Sequence, residues 1–82
     1  MFRTLRSVSD EDLWRAVGAE VRRLAEERGL SGNKLAKTAG LEQTSVAKKL
    51  RGDGAFSLRD LAAIAPVLEV KVSDIIEWAQ RA

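Results

Sequence analysis

Apolar residues recur every three to four positions along most of this chain, and that period predicts helices. Leu13, Val17, Val21, Leu24 and Ala25 form one stripe between about Asp10 and Arg28. Glu20, Arg22, Arg23, Glu26 and Glu27 fall on the other side, facing water, and Trp14 borders the stripe. Ser9 followed by three acids suits the start of this helix, since a hydroxyl and negative charge both satisfy free amides there. Gly29 ends it, and Leu30 folds back into the core. A second, short helix is expected from about Gly32 to Ala39, with Leu35, Ala36 and Ala39 inward and Ser31 as its N-cap. Gly40 permits a sharp turn, because only glycine accepts positive φ without strain, and Leu41 re-enters the core. A third helix runs from Gln43 to about Arg51, opened by Glu42 or Leu41, with Val46 and Leu50 inward one turn apart.

The rest of the chain repeats the pattern. Gly52-Asp53-Gly54-Ala55 is a turn signal, and Phe56 anchors the core beneath it. Ser57-Leu58-Arg59-Asp60 resembles a capping box, placing Leu58, Leu61, Ile64 and Ala65 inward on a fourth helix. Pro66 then either stops that helix near Ala65 or kinks it, because proline removes a hydrogen bond and clashes with the preceding turn. Val72 or Ser73 starts a fifth helix, with Ile75, Ile76 and Ala79 apolar and Trp78 near its end. No alternation longer than Val70-Lys71-Val72 suggests a strand. The expected fold is all-α.

Composition narrows the chemistry. Eighty-two residues make one small domain, expected over 9–82, with residues 1–8 as an arm of no clear period. There is no Cys and no His, which removes disulfides, thiolate metal sites and the commonest general base. An enzyme, a cofactor and a metal site are therefore not expected. Asp10, Glu11 and Asp12 are explained by capping, and Gly52-Asp53-Gly54 lacks the strand that a phosphate-cradling loop requires. No small-molecule ligand is evident. No long apolar run follows Met1, so a cytoplasmic protein without a membrane span is expected. The net charge is only +2, but its distribution is uneven. Lys34, Lys37, Lys48, Lys49 and Arg51 face Glu42 alone between positions 31 and 52. Positive charge thus sits on the two short helices, where an anionic partner would need it.

Those two helices resemble the helix-turn-helix of the phage-repressor and Cro-like (XRE-type) family of DNA-binding proteins. Leu35-Ala36, Gly40-Leu41, Gln43-Thr44-Ser45-Val46 and Leu50-Arg51-Gly52 carry the resemblance. Ser57 to Ala65 and Leu68 to Ile76 look like the family's fourth and fifth helices. The implied fold is a compact five-helix, lambda-repressor-like domain with its motif at about 31–52. Leu68 and Val70 match apolar family positions, which favours the kink at Pro66. Three departures stand out: Gly32 replaces a frequent Gln, Lys49 replaces a usual apolar residue, and Glu69 stands where many members have Gly.

The resemblance implies that the third helix lies in the DNA major groove while its surroundings clamp the backbone. Its outward face is Gln43, Thr44, Ala47 and Lys48. Gln43 suits adenine, Lys48 guanine and the Thr44 methyl thymine, so Gln43, Thr44 and Lys48 are the expected base contacts. Ser31, Asn33, Lys34, Ser45, Lys49, Arg51 and Gly52 are the expected backbone contacts, the helix N-terminus at Ser31 being suited to a phosphate. The expected function is a double-stranded DNA-binding transcriptional regulator of the phage or prophage repressor kind, acting as a homodimer. The alternative is an antitoxin or adaptor using the same fold to bind a protein. Ile76 and Trp78 are the candidate dimer interface, Trp78 alternatively folding against the first helix. Arg3 and Arg6 form a basic arm for DNA, or Phe2 and Leu5 dock on the core or a partner subunit, or the terminus is frayed.

Overall fold

The computed structural model describes residues 10–81. Ser9 as a cap and the arm carrying Phe2, Arg3, Leu5 and Arg6 lie outside the described residues. Five helices follow in order: α1 (Asp10–Glu27), α2 (Gly32–Ala39), α3 (Gln43–Leu50), α4 (Leu58–Leu68) and α5 (Val72–Arg81). Among the described residues there is no strand, and no helix is long and apolar enough to cross a membrane.

The apolar stripes meet in one core. Val21, Leu35, Ile64, Leu68 and Ile75 have no or almost no exposed surface and come from four different helices. Arg28, in the turn just after α1, closes the far end of this core. Its Nε donates to the Leu68 carbonyl at 2.8 Å and its Nη1 to the Leu24 carbonyl at 3.0 Å. Both acceptors belong to helix C-terminal turns, whose carbonyls have no partner inside the helix. One cation therefore ties the end of α1 to the end of α4.

Gly18 lies on the face of α1 that meets α3. A Cβ there would stand 2.9 Å from the backbone carbonyl oxygen of Lys49. Glycine inside a helix costs about 1 kcal/mol relative to alanine. Here it permits a backbone-to-backbone approach that no other residue allows.

One expectation for α4 is corrected and one alternative is decided. Leu58 is 72% exposed rather than inward. It is the first residue of α4, and the buried surface begins one turn later, at Leu61. Of the two alternatives at Pro66, the helix takes the favoured one and does not stop near Ala65. It runs through Pro66, which is exposed, to the buried Leu68. The start follows the sequence: Ser57 Oγ accepts from the Asp60 amide and Asp60 Oδ2 accepts from the Ser57 amide, both at 3.0 Å. The end is a left-handed residue, Glu69, with φ 62°. The Glu69 amide donates to Pro66 and the Val70 amide to Ala65, both at 3.1 Å, which satisfies carbonyls left over by the helix. That conformation is the reason glycine suits this position, and it makes Glu69 a strained replacement.

Candidate nucleic-acid interface

α2 and α3 are joined by three residues whose geometry is set by Gly40. It takes φ 75°, and its amide donates to carbonyls of the last turn of α2. The Leu41 amide then donates to the Ala36 carbonyl at 2.8 Å, and Ala36 is fully buried. A small residue at the crossing and a left-handed turn after it fix α3 across α2. α3 begins on Glu42, whose Oε1 accepts from the Ser45 amide at 3.0 Å. The cap is a glutamate rather than one of the usual short side chains, which is why the sequence alone leaves Glu42 and Leu41 undivided.

α3 turns Val46 fully inward and packs Leu50 at the edge of the core. Gln43, Thr44 and Lys48 are exposed together on its outer side, with Ala47 half-buried between them. The three expected base readers thus share one open face. Beside them, Asn33, Lys34, Lys37 and Gln43 line one shallow surface depression. Lys37 belongs to this surface and was missed as a site residue. Its signal was present, since it falls one turn after Asn33 on α2. Among the described residues, Lys34, Lys37 and Lys48 have no carboxylate partner.

The expected backbone contacts divide. Asn33 and Lys34 are exposed, and Ser31 is exposed with its Oγ accepting from the Lys34 amide at 3.1 Å. Arg51 is exposed, in a loose 3.7 Å pair with Asp53. Ser45 is half-buried with its amide already bonded to Glu42. Gly52 takes φ 92°, and its amide donates to the Lys49 carbonyl at 3.1 Å. That amide is therefore occupied in closing α3, as is the Asp53 amide, which donates to Lys48 at 2.8 Å.

Lys49 is placed differently from the expectation. Its ammonium lies 2.8 Å from Asp60 Oδ2, with only 24% of one side chain and 17% of the other exposed. It also stands over the Phe56 ring, 6.0 Å from the centroid. Burial pushes the Asp60 carboxyl up. The hydrogen bonds from Lys49 and Ser57 and the Lys49 charge outweigh that and hold it below the ordinary carboxylate value. Lys49 thus points into the α3–α4 junction, away from the exposed face.

Two of the departures from the family pattern are linked by this arrangement. With Lys49 on the junction, Leu50 takes over the apolar contact and reaches the start of α2. A Cβ on Gly32 would meet Leu50 Cδ1 at 3.1 Å, tighter than Leu50 could accommodate without shifting. A side chain at position 32 would therefore press on the tip of Leu50.

On α5, Ile75 and Ala79 are buried, whereas Ile76 and Trp78 are half-buried and pack against the core. Trp78 is thus neither a free platform nor enclosed.

A recessed, small-residue crossing and an exposed polar helix with cations around it define a helix-turn-helix built to meet a polyanion. The comparisons agree on its class. The chain belongs to the family of Cro/C1-type helix-turn-helix DNA-binding domains, which matches residues 20–80. Its fold is similar to that of the clp gene regulator ClgR from C. glutamicum, with 25% identity and a TM-score of 0.75 over 83% of this chain and 88% of that one. The restriction-modification controller protein C.AhdI from Aeromonas hydrophila is 30% identical, with a TM-score of 0.70 over 78% of this chain and 96% of the other. The hypothetical transcription factor NHTF from Neisseria is 27% identical, with a TM-score of 0.73 over 89% and 84%. No curated protein matches the chain.

Proposed function

We propose that this domain is a sequence-specific regulator of the phage or prophage repressor kind, which occludes a promoter as a cytoplasmic homodimer on double-stranded DNA. The observation that carries this reading is the outer face of α3. Gln43, Thr44 and Lys48 are exposed there, and Lys34, Lys37 and Lys48 have no carboxylate partner among the described residues. Gln43 and Lys48 offer donors to base edges, and the Thr44 methyl offers an apolar contact. Ser31, Asn33, Lys34, the Ser45 hydroxyl and Arg51 hold phosphates on either side. Lys37 joins them. Lys49 and the Gly52 amide do not, being engaged inside the fold. Two-fold pairing through the α5 region around Ile76 and Trp78 would set two reading helices about 34 Å apart on one face of the duplex.

Selection of sites from random DNA tests the reading. Palindromic sites with half-sites one turn apart are expected. Gln43→Ala should cost about 1–3 kcal/mol on the selected site and relax preference at one base pair, with affinity for random DNA unchanged. Equal loss on both DNAs would remove Gln43 from the base readers.

A further inference from the structure

We propose that the Lys49–Asp60 pair is a positioning device that sets the rotation of α3, and through it sequence selectivity, without touching DNA. The proposal rests on α3 being the reading helix. α3 has eight residues, too few to hold its own geometry in water. What fixes it must come from its neighbours, and Lys49 is gripped at both ends.

Its backbone carbonyl is stopped against Gly18 of α1 and accepts from the Gly52 amide. Its ammonium is held by Asp60 on α4 and lies over Phe56. Asp60 is itself held in place, because the same Oδ2 accepts the Ser57 amide in the capping box. The restraint therefore runs from the first turn of α4 to the last turn of α3.

The leverage is large. Rotating a helix by about 25° at an outer radius of roughly 5–6 Å moves side-chain tips by about 2–3 Å. A bidentate contact with a base does not survive a shift of that size. A partly buried ion pair adds little net stability, and its better-attested use is in fixing register. An apolar residue here would give packing without direction.

The test compares wild type, Lys49→Met, Asp60→Asn and the double variant. Methionine keeps an unbranched stem, and asparagine keeps an oxygen for the Ser57 amide. Binding to the selected site and to random DNA is measured across a salt series, with thermal melts as the folding control. Each single variant should lower the specific-to-random affinity ratio about tenfold with the salt slope unchanged. The double variant should lose no more than either single one, because the two residues act as a unit. Asp60→Asn is the sharpest arm: removing a negative charge from a DNA-binding domain would by long-range electrostatics alone tighten binding to both DNAs. Ratios within twofold of wild type in both single variants overturn the proposal. So does a salt slope lowered by about one unit in Lys49→Met, which would make Lys49 a phosphate contact. If wild type prefers no DNA sequence, the reading of α3 itself fails. The pair is then judged by amide hydrogen exchange in the free protein. Faster exchange confined to residues 43–57 in Asp60→Asn supports positioning, and unchanged exchange there overturns it.

Discussion

α1 and the α2–α3 motif both carry several cations, and they use them in opposite ways. On α1, Arg22 pairs with Glu26, and Arg23 bridges Glu20 and Glu27. The hydrogen bond to Glu20, opposed by burial and reinforced by the charges of both glutamates, holds the Arg23 guanidinium above its ordinary value. Arg28 is spent on backbone carbonyls and a longer contact to Glu27. On α2 and α3 the single glutamate, Glu42, is turned into a helix cap, and Lys34, Lys37 and Lys48 are left with no carboxylate among the described residues. Counting cations alone does not separate these regions, because α1 has as many arginines as the motif has open lysines. Spacing does: carboxylates three and four residues from each arginine neutralise it within the helix, and Lys34, Lys37 and Lys48 have none at that distance.

The largest expected effect tests that contrast directly. Replacing Lys34, Lys37 and Lys48 together by alanine should flatten the salt dependence of binding by about 2.5–3 units, read from log affinity against log salt on random DNA. A loss of less than one unit would mean that the open lysines are solvated rather than used. A smaller effect, of opposite sign and on stability, is expected away from the motif. Glu69→Gly relieves the left-handed strain at the end of α4 and should stabilise the fold by about 1 kcal/mol in chemical denaturation, with DNA affinity unaltered. The smallest effect belongs to Arg23→Ala. Its charge is already met by Glu20 and Glu27, so the salt slope should stay within about 0.3 of wild type. A drop of a full unit would place α1 in the interface and dissolve the comparison.

Helix periods, caps and glycine stops made most of the fold legible. Leu35, Gly40, Val46 and the Ser57–Asp60 box do in the structure what their spacing announced. Leu58 was misread because period alone does not say where a helix begins to meet its neighbours. Pro66 was ambiguous because period alone does not say whether a helix outlasts the bond a proline removes from its preceding turn, and the actual end, Glu69, takes a conformation no propensity assigns to glutamate. Within the site, the exposed face of α3 was legible from residue types. The roles of Lys49 and of the Gly52 amide were not. A lysine among four other cations reads as one more positive charge, and its partner, Asp60, lies in another helix. Gly32 reads in the sequence only as a missing contact, because its neighbour in space, Leu50, lies in another helix.

The contact between Gly18 and the Lys49 carbonyl bears on how such a protein could be retargeted. The back of α3 rests on a bare backbone hydrogen, so its depth in the domain does not depend on which side chains it carries in front. If α3 reads bases as proposed, residues 43, 44 and 48 would be exchangeable as a cassette, a lock whose pins can be recut while its housing stays the same. Position 18 belongs to the housing. Any side chain there would push α3 outward and shift every recut pin at once.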